Sequence, residues 1–199
     1  MAKAVLISIR PEWVEKILNG EKTLEVRKTR PKLETPFKVY IYCTAGNLSY
    51  EINNGMTCNI SGGKLVVGEF VCDNIRPLMA ESFIVKEDAE KALLGTSLTS
   101  EQIKDYAGWK GKKWWDCKDL YKWHISKLEI YDMPKELNEF WFPPELYCEK
   151  ERCGGCPYDQ VADVNGEYSF GCEWKRPLTR PPQSWCYVEE QRWPYVNLL

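Results

Sequence analysis

The sequence predicts an α+β chain, a mixed β-barrel with flanking helices followed by a cysteine-rich C-terminal module. Three observations predict it. Short apolar runs rich in β-branched and aromatic residues recur between loops and short helical patterns, as at residues 3–10, 36–42 and 65–70. After Pro134 the texture changes, and residues 136–199 hold five of the nine cysteines and four of the nine tryptophans with little periodicity. At 199 residues the chain is long enough for one domain plus an appendage. The expected units are therefore a barrel over 1–135 and a module over 136–199.

Strands are expected near residues 3–9, 23–28, 36–43, 64–75 and 120–132, and helices near 11–19, 86–94 and 100–107. Pro11 opens the first helix where its missing N–H costs nothing. Trp13, Val14, Ile17 and Leu18 fall on one face of that helix, and Gly20 ends it. The run Gly20-Glu21-Lys22-Thr23-Leu24-Glu25-Val26-Arg27 then starts a strand. Alternation puts Glu25 and Arg27 on one face, and Lys22 joins them if the strand begins only after it. These three are expected to line one cleft, with substitutions weakening binding at little cost in stability. The last helix carries a capping-box pattern, Thr99-Ser100-Glu101-Gln102, with Gly108 beyond its end. Residues 45–63, rich in Gly, Asn and Ser, read as a long polar loop.

No apolar run approaches the ~18 residues of a membrane span, and no signal-peptide pattern opens the chain, so a cytoplasmic protein is expected. A net charge of −2 argues against a broad grip on duplex phosphates. Basic character is local instead. Residues 22–38 carry Lys22, Arg27, Lys28, Arg30, Lys32 and Lys38 against Glu25 and Glu34. Residues 109–123 interleave five lysines with Trp109, Trp114, Trp115, Tyr121 and Trp123. Aromatics among cations suit an exposed base, the ring stacking while the cation meets phosphate. Trp114 and Trp115 cannot both point inward from one strand, so at least one serves another surface.

The spacing Cys148-x4-Cys153-x2-Cys156-x15-Cys172, with Gly154-Gly155 permitting a tight turn, suits the four-thiolate ligand set expected of a structural zinc, with unpaired or buried cysteines as the alternative. An iron–sulfur cluster is a minor alternative, because the first three spacings also open the plant-type two-iron pattern. Cys186 is an alternative fourth ligand. A reducing compartment disfavours disulfides. Cys43, Cys58, Cys72 and Cys117 lack ligand spacing and read as core residues. His124 is the chain's single histidine, which excludes a multi-histidine metal centre, and no nucleophile-elbow pattern accompanies it.

Ser8-Ile9-Arg10-Pro11, Ile17-Leu18-Asn19-Gly20 and Gly20-x-Lys22-x-x-Glu25-x-Arg27 together resemble the opening of the ASCH family, a branch of the PUA-like β-barrels. The match is specific over the first 30 residues and extends more weakly to about 133. The resemblance implies a PUA-like barrel with a cleft for RNA or a modified nucleotide. Lys22, Glu25, Arg27, Trp115, Trp123 and His124 are then the expected ligand-binding residues, with Lys22 and Arg27 meeting phosphate or a carbonyl oxygen and a Trp stacking. Some ASCH relatives are enzymes, and one amidohydrolase uses a Lys, a Thr and a Glu. Lys22 matches that Lys, but the Thr position is held by Glu25 and Thr23 is displaced by two, which puts amide hydrolysis by the family mechanism in doubt. The alternative is a hydrolase acting on nucleosides or RNA, with Lys22, Glu25 and Glu69 as candidate catalytic groups. A third reading is a protein-interaction adaptor built on the cysteine-rich module.

Overall fold

The computed structural model describes residues 2–51, 57–143 and 177–191. Strand β1 (Lys3–Ile9) leads into helix α1 (Pro11–Leu18), and then come β2 (Leu24–Arg27) and β3 (Phe37–Cys43). A hairpin, β4 (Leu48–Glu51) and β5 (Thr57–Ile60), precedes β6 (Val66–Cys72) and β7 (Ile75–Leu78). Helices α2 (Lys86–Leu93) and α3 (Ser100–Ala107) follow, then β8 (Leu120–His124), β9 (Ser126–Lys135) and β10 (Trp185–Glu189).

One five-stranded sheet has the order β10-β1-β3-β6-β9, and a three-stranded sheet has the order β2-β8-β7. β1 and β3 run parallel, joined by a crossover that contains α1 and β2. A strand inside such a sheet is covered on both faces, which is why β1 reads as an unbroken apolar run. Val5, Ile7 and Ile9 face the main core with Val14, Ile17 and Trp123, while Ala4 and Leu6 face Tyr40, Phe140, Leu178 and Val188. A third cluster, around Val26, Leu78, Ile103, Trp109 and Leu120, seats α3 against the smaller sheet.

The expected strands at 64–75 and 120–132 each divide in two, because the chain changes sheet at Asp73–Asn74 and again at Ile125. The two corners are tied together: the His124 N–H donates to the Asn74 carbonyl at 2.9 Å, and Ser126 Oγ donates to the Val71 carbonyl at 2.8 Å. As a result the sheets do not close into one hydrogen-bonded barrel among the described residues. The stretch 45–63 is likewise not all loop. Leu48, Tyr50 and Ile60 of its hairpin are buried in the main core, an alternation that the surrounding Gly, Asn and Ser obscure.

Described residues beyond 135 pack against this core. Phe140 and Leu178 pack in the second cluster, Trp141 bridges Pro177, and β10 pairs antiparallel with β1 as an edge strand. The capping box forms as the spacing predicts, Thr99 Oγ1 accepting from Gln102 N at 3.2 Å and Gln102 Oε1 from Thr99 N at 2.8 Å.

Candidate functional site

The site begins at the end of α1. Gly20 has φ +74°, a left-handed conformation that lets the chain reverse so that the Lys22 N–H donates back to the Lys16 carbonyl at 2.9 Å. β2 starts two residues later, so Lys22 lies in the turn and its side chain is free to join the Glu25 face. Lys22 Nζ donates to the Thr96 carbonyl at 2.7 Å and the Leu24 carbonyl at 2.9 Å, and lies 3.3 Å from Glu25 Oε2. Glu25 Oε1 in turn lies 3.0 Å from Arg27 Nε. That contact is an ion pair out of line for a good hydrogen bond. Arg27 is held further by Nη2 donating to the Ser8 carbonyl at 2.8 Å and Nη1 to Ser184 Oγ at 3.4 Å.

All three side chains are nine-tenths or more buried. Two cations share one carboxylate, so the triad carries one net positive charge. Burial pushes the Lys22 ammonium below its usual range, opposed by Glu25 and reinforced by Arg27 and Lys16.

This triad forms part of the wall of a cavity of about 920 Å³. The start of α1 contributes Arg10, Glu12 and Trp13, α3 contributes Gln102, Asp105 and Tyr106, and Pro181–Gln183 close the remaining side. Two aromatic rings thus border it, and each carries a cation: Lys22 Nζ is 5.8 Å from the Trp13 ring centroid and Lys28 Nζ is 5.1 Å from that of Tyr106. Burial, together with the Glu25 charge, pushes the Tyr106 hydroxyl up, against Arg27 and a backbone hydrogen bond from Lys28.

Of the residues expected from the sequence, Lys22, Glu25 and Arg27 share this cavity and the others do not line it. Trp123 sits across from Glu25 in the β2–β8 pair but is wholly buried, with the Phe37 and Trp185 rings 6.1 and 6.0 Å away. It has no free face for a base. Trp115 lies on a short 3-10 turn and lines a separate recess. His124 pairs at the surface with Asp73, Nδ1 to Oδ1 2.6 Å. Glu69 faces the second core, 2.5 Å from both Lys38 Nζ and the Tyr131 hydroxyl.

The four expected zinc ligands, Cys148, Cys153, Cys156 and Cys172, lie outside the described residues. Among the described residues no three His, Cys, Asp or Glu side chains gather as a metal site. Cys186, the alternative ligand, is partly buried beside the second core, and burial pushes its thiol up to about 12. Cys43 and Cys72 are buried core residues, as expected.

Sequence reasoning missed Trp13 and Tyr106 as cavity residues. Trp13 was absorbed into the apolar face of α1, and Tyr106 reaches the site only because α3 packs beside β2. No local pattern marks that packing.

No protein-family model matches the sequence, and no curated protein does. Solved structures are similar in shape. The crystal structure of ASCH from Zymomonas mobilis superposes with a TM-score of 0.52 at 16% identity, covering 94% of this chain and 88% of that one. A serine-to-alanine mutant of the same protein gives 0.52 and 16%, covering 94% and 89%. On the strength of that likeness in shape, this chain has the ASCH domain fold.

Proposed function

We propose that this protein recognises RNA through a single nucleotide, or recognises a free modified nucleotide, in the cavity bordered by Lys22, Glu25 and Arg27. The observation that carries the reading is the buried triad beside the Trp13 and Tyr106 rings. The charges favour a base over a polyphosphate. Arg10, Lys22 and Arg27 are balanced by Glu12, Glu25 and Asp105 in the same wall, so a polyanion gains little there. A base edge carries both donors and acceptors and meets both kinds of group. Arg10, with a side chain 77% exposed, stands at the rim where a phosphate would approach. The ASCH fold, and the RNA recognition its family resemblance implies, agree with this reading.

Binding is tested by calorimetry and tryptophan fluorescence with nucleosides, their 5′-monophosphates and short single-stranded RNA. Truncation of Trp13 to Ala is expected to weaken binding by about 5- to 150-fold, the cost of one stacked base. Absence of binding by every one of these ligands at low salt would overturn the reading.

A second reading, a hydrolase acting on nucleosides or RNA, is favoured by one observation: Lys22 and Glu25, two candidate proton-transfer groups, lie 3.3 Å apart in the cavity wall. Against it, Thr23 is exposed and its Oγ1 packs against Gly95 rather than lining the cavity. Incubation with acylated nucleosides and single-stranded RNA, read by mass spectrometry, separates the two: binding alone leaves them unchanged.

A further inference from the structure

The recess beside Trp115 has its own chemistry. It measures about 310 Å³ and lies between the 3-10 turn Ala80–Phe83, the end of α3 and the loop that follows. Phe83, Trp109, Trp114 and Trp115 supply its rings, and Lys104, Lys112 and Lys113 its charges. Among the described residues no carboxylate lines it. Lys110, one turn away, is neutralised by Asp105 at 2.7 Å and Glu101 at 3.6 Å. Lys104, Lys112 and Lys113 form no ion pair among the described residues.

Trp114 and Trp115 are held outward. Trp109 is buried against Phe83, ring centroids 5.5 Å apart, and its Nε1 donates to the Lys118 carbonyl at 2.9 Å. From that anchor the chain makes consecutive tight turns, with N–H groups of Lys112, Asp116 and Cys117 donating to the carbonyls of Trp109, Lys113 and Trp114. Trp114 and Trp115, 44% and 59% exposed, stand edge to face at 5.5 Å, with Lys113 Nζ 5.1 Å from the Trp115 ring. Two indoles exposed on a braced turn, beside three cations with no carboxylate partner among the described residues, are poorly explained as packing. They present planar faces and positive charge together.

We propose that this recess is a second nucleic-acid contact, in which a base of single-stranded RNA stacks on Trp114 or Trp115 while its flanking phosphates meet Lys104, Lys112 and Lys113. It is separate from the Lys22 cavity and is charged where that cavity is balanced. It therefore supplies affinity for an extended strand, whereas the cavity selects one nucleotide.

The test uses the full chain and a fluorescent oligouridylate of about ten nucleotides, a length within the usual single-strand site sizes. Trp115→Ala and Trp114→Ala should each lower affinity by about 5- to 150-fold or leave it to the partner ring, with the double variant showing the loss in full. Lys112→Gln with Lys113→Gln should flatten the salt dependence by a slope of about 1.4 for two phosphates lost. Binding of a mononucleotide should be unchanged in all of them. Near-UV circular dichroism confirms folding. An oligonucleotide affinity unaffected in the folded double Trp variant overturns the proposal, as does failure of the wild type to bind the strand at low salt. Loss of binding to phosphatidylserine vesicles with oligonucleotide binding intact overturns it in favour of a membrane surface. If the double Trp variant loses the strand while Trp13→Ala binds it and every mononucleotide as wild type does, the cavity reading fails while this one stands.

Discussion

Lys22 Nζ and Glu25 Oε2 lie 3.3 Å apart inside the protein, their side chains 2% and 8% exposed. A pair so buried differs from the surface ion pair that a Lys-x-x-Glu spacing usually gives. Desolvation is offset by their mutual attraction, for Lys22 also by the carbonyls of Leu24 and Thr96 and the Trp13 ring, and for Glu25 also by Arg27. The site is thus part of the fold as well as its candidate binding surface. The sequence-based expectation that substitutions here cost little stability does not suit that burial.

Glu25→Ala leaves two buried cations facing each other without a carboxylate. Removing one partner of a buried ion network costs about 3–5 kcal/mol. The expected result is a loss of that order in urea denaturation, with Glu25→Gln, which keeps a hydrogen-bond acceptor, losing less. A loss below about 1 kcal/mol for the Ala variant would place the pair in the weak class of exposed ion pairs.

The Lys22 shift gives a pH dependence of definite sign. Its pKa in the folded chain is depressed, burial being the largest cause, below the ordinary 10.5 of the unfolded chain. Between those two values the unfolded chain binds more protons, so stability rises with pH there, and the gain is lost as pH falls through the folded value. Tyr40, pushed above its ordinary 10.0 chiefly by burial, works in the opposite direction above that pH. The difference between wild type and Lys22→Met isolates the lysine. Wild type should gain stability relative to that variant as pH approaches 10.5; a flat difference would show that the ammonium is not disfavoured.

Much of the fold is legible in the chain because each local signal has a local cause. Pro11 and Gly20 bound α1, Thr99 and Gln102 cap α3, and the apolar run at 3–9 is a strand covered on both faces. What stays hidden depends on distant partners. Nothing in residues 120–132 announces a change of sheet at Ile125, since that is set by Asn74 on another strand. Trp123 and Trp115 look equivalent in sequence, yet the first fills the core between Phe37 and Trp185 and the second projects into water. In the site, Lys22, Glu25 and Arg27 are readable because eight consecutive residues place them. Trp13 and Tyr106 come from two other helices and required the tertiary packing.

Gly95 controls the position of Lys22 from outside the triad. Its carbonyl accepts the N–H groups of Thr23 and Leu24 at 2.8 and 2.9 Å, and the next carbonyl, Thr96, accepts Lys22 Nζ. Gly95 has φ +79°, and a Cβ there would lie 2.5 Å from Thr23 Oγ1. Gly95→Ala therefore meets both backbone strain and a clash, and is expected to destabilise by about 1–3 kcal/mol. It should also loosen Lys22, seen as weaker nucleotide binding beyond what lost stability explains. A variant as stable as wild type would show that the turn relaxes freely.

The last prediction concerns the cysteines. We propose that Cys148, Cys153, Cys156 and Cys172 hold one zinc through four thiolates, on the strength of their spacing and of Gly154-Gly155 between the middle pair. The described residues on either side are already fixed to the core: Trp141 bridges Pro177, Phe140 and Leu178 pack together, and β10 pairs with β1. A metal between these anchors would brace the intervening segment rather than create the main sheet. Chelation at neutral pH is therefore expected to increase proteolysis within 144–176 while the sheet keeps its thermal transition, and Cys186→Ser should not change metal content. Elemental analysis should find one zinc per chain, with Cys153→Ser reducing it. A metal content at trace level in protein purified without chelator would sink the assignment, and iron in its place would turn it to the cluster.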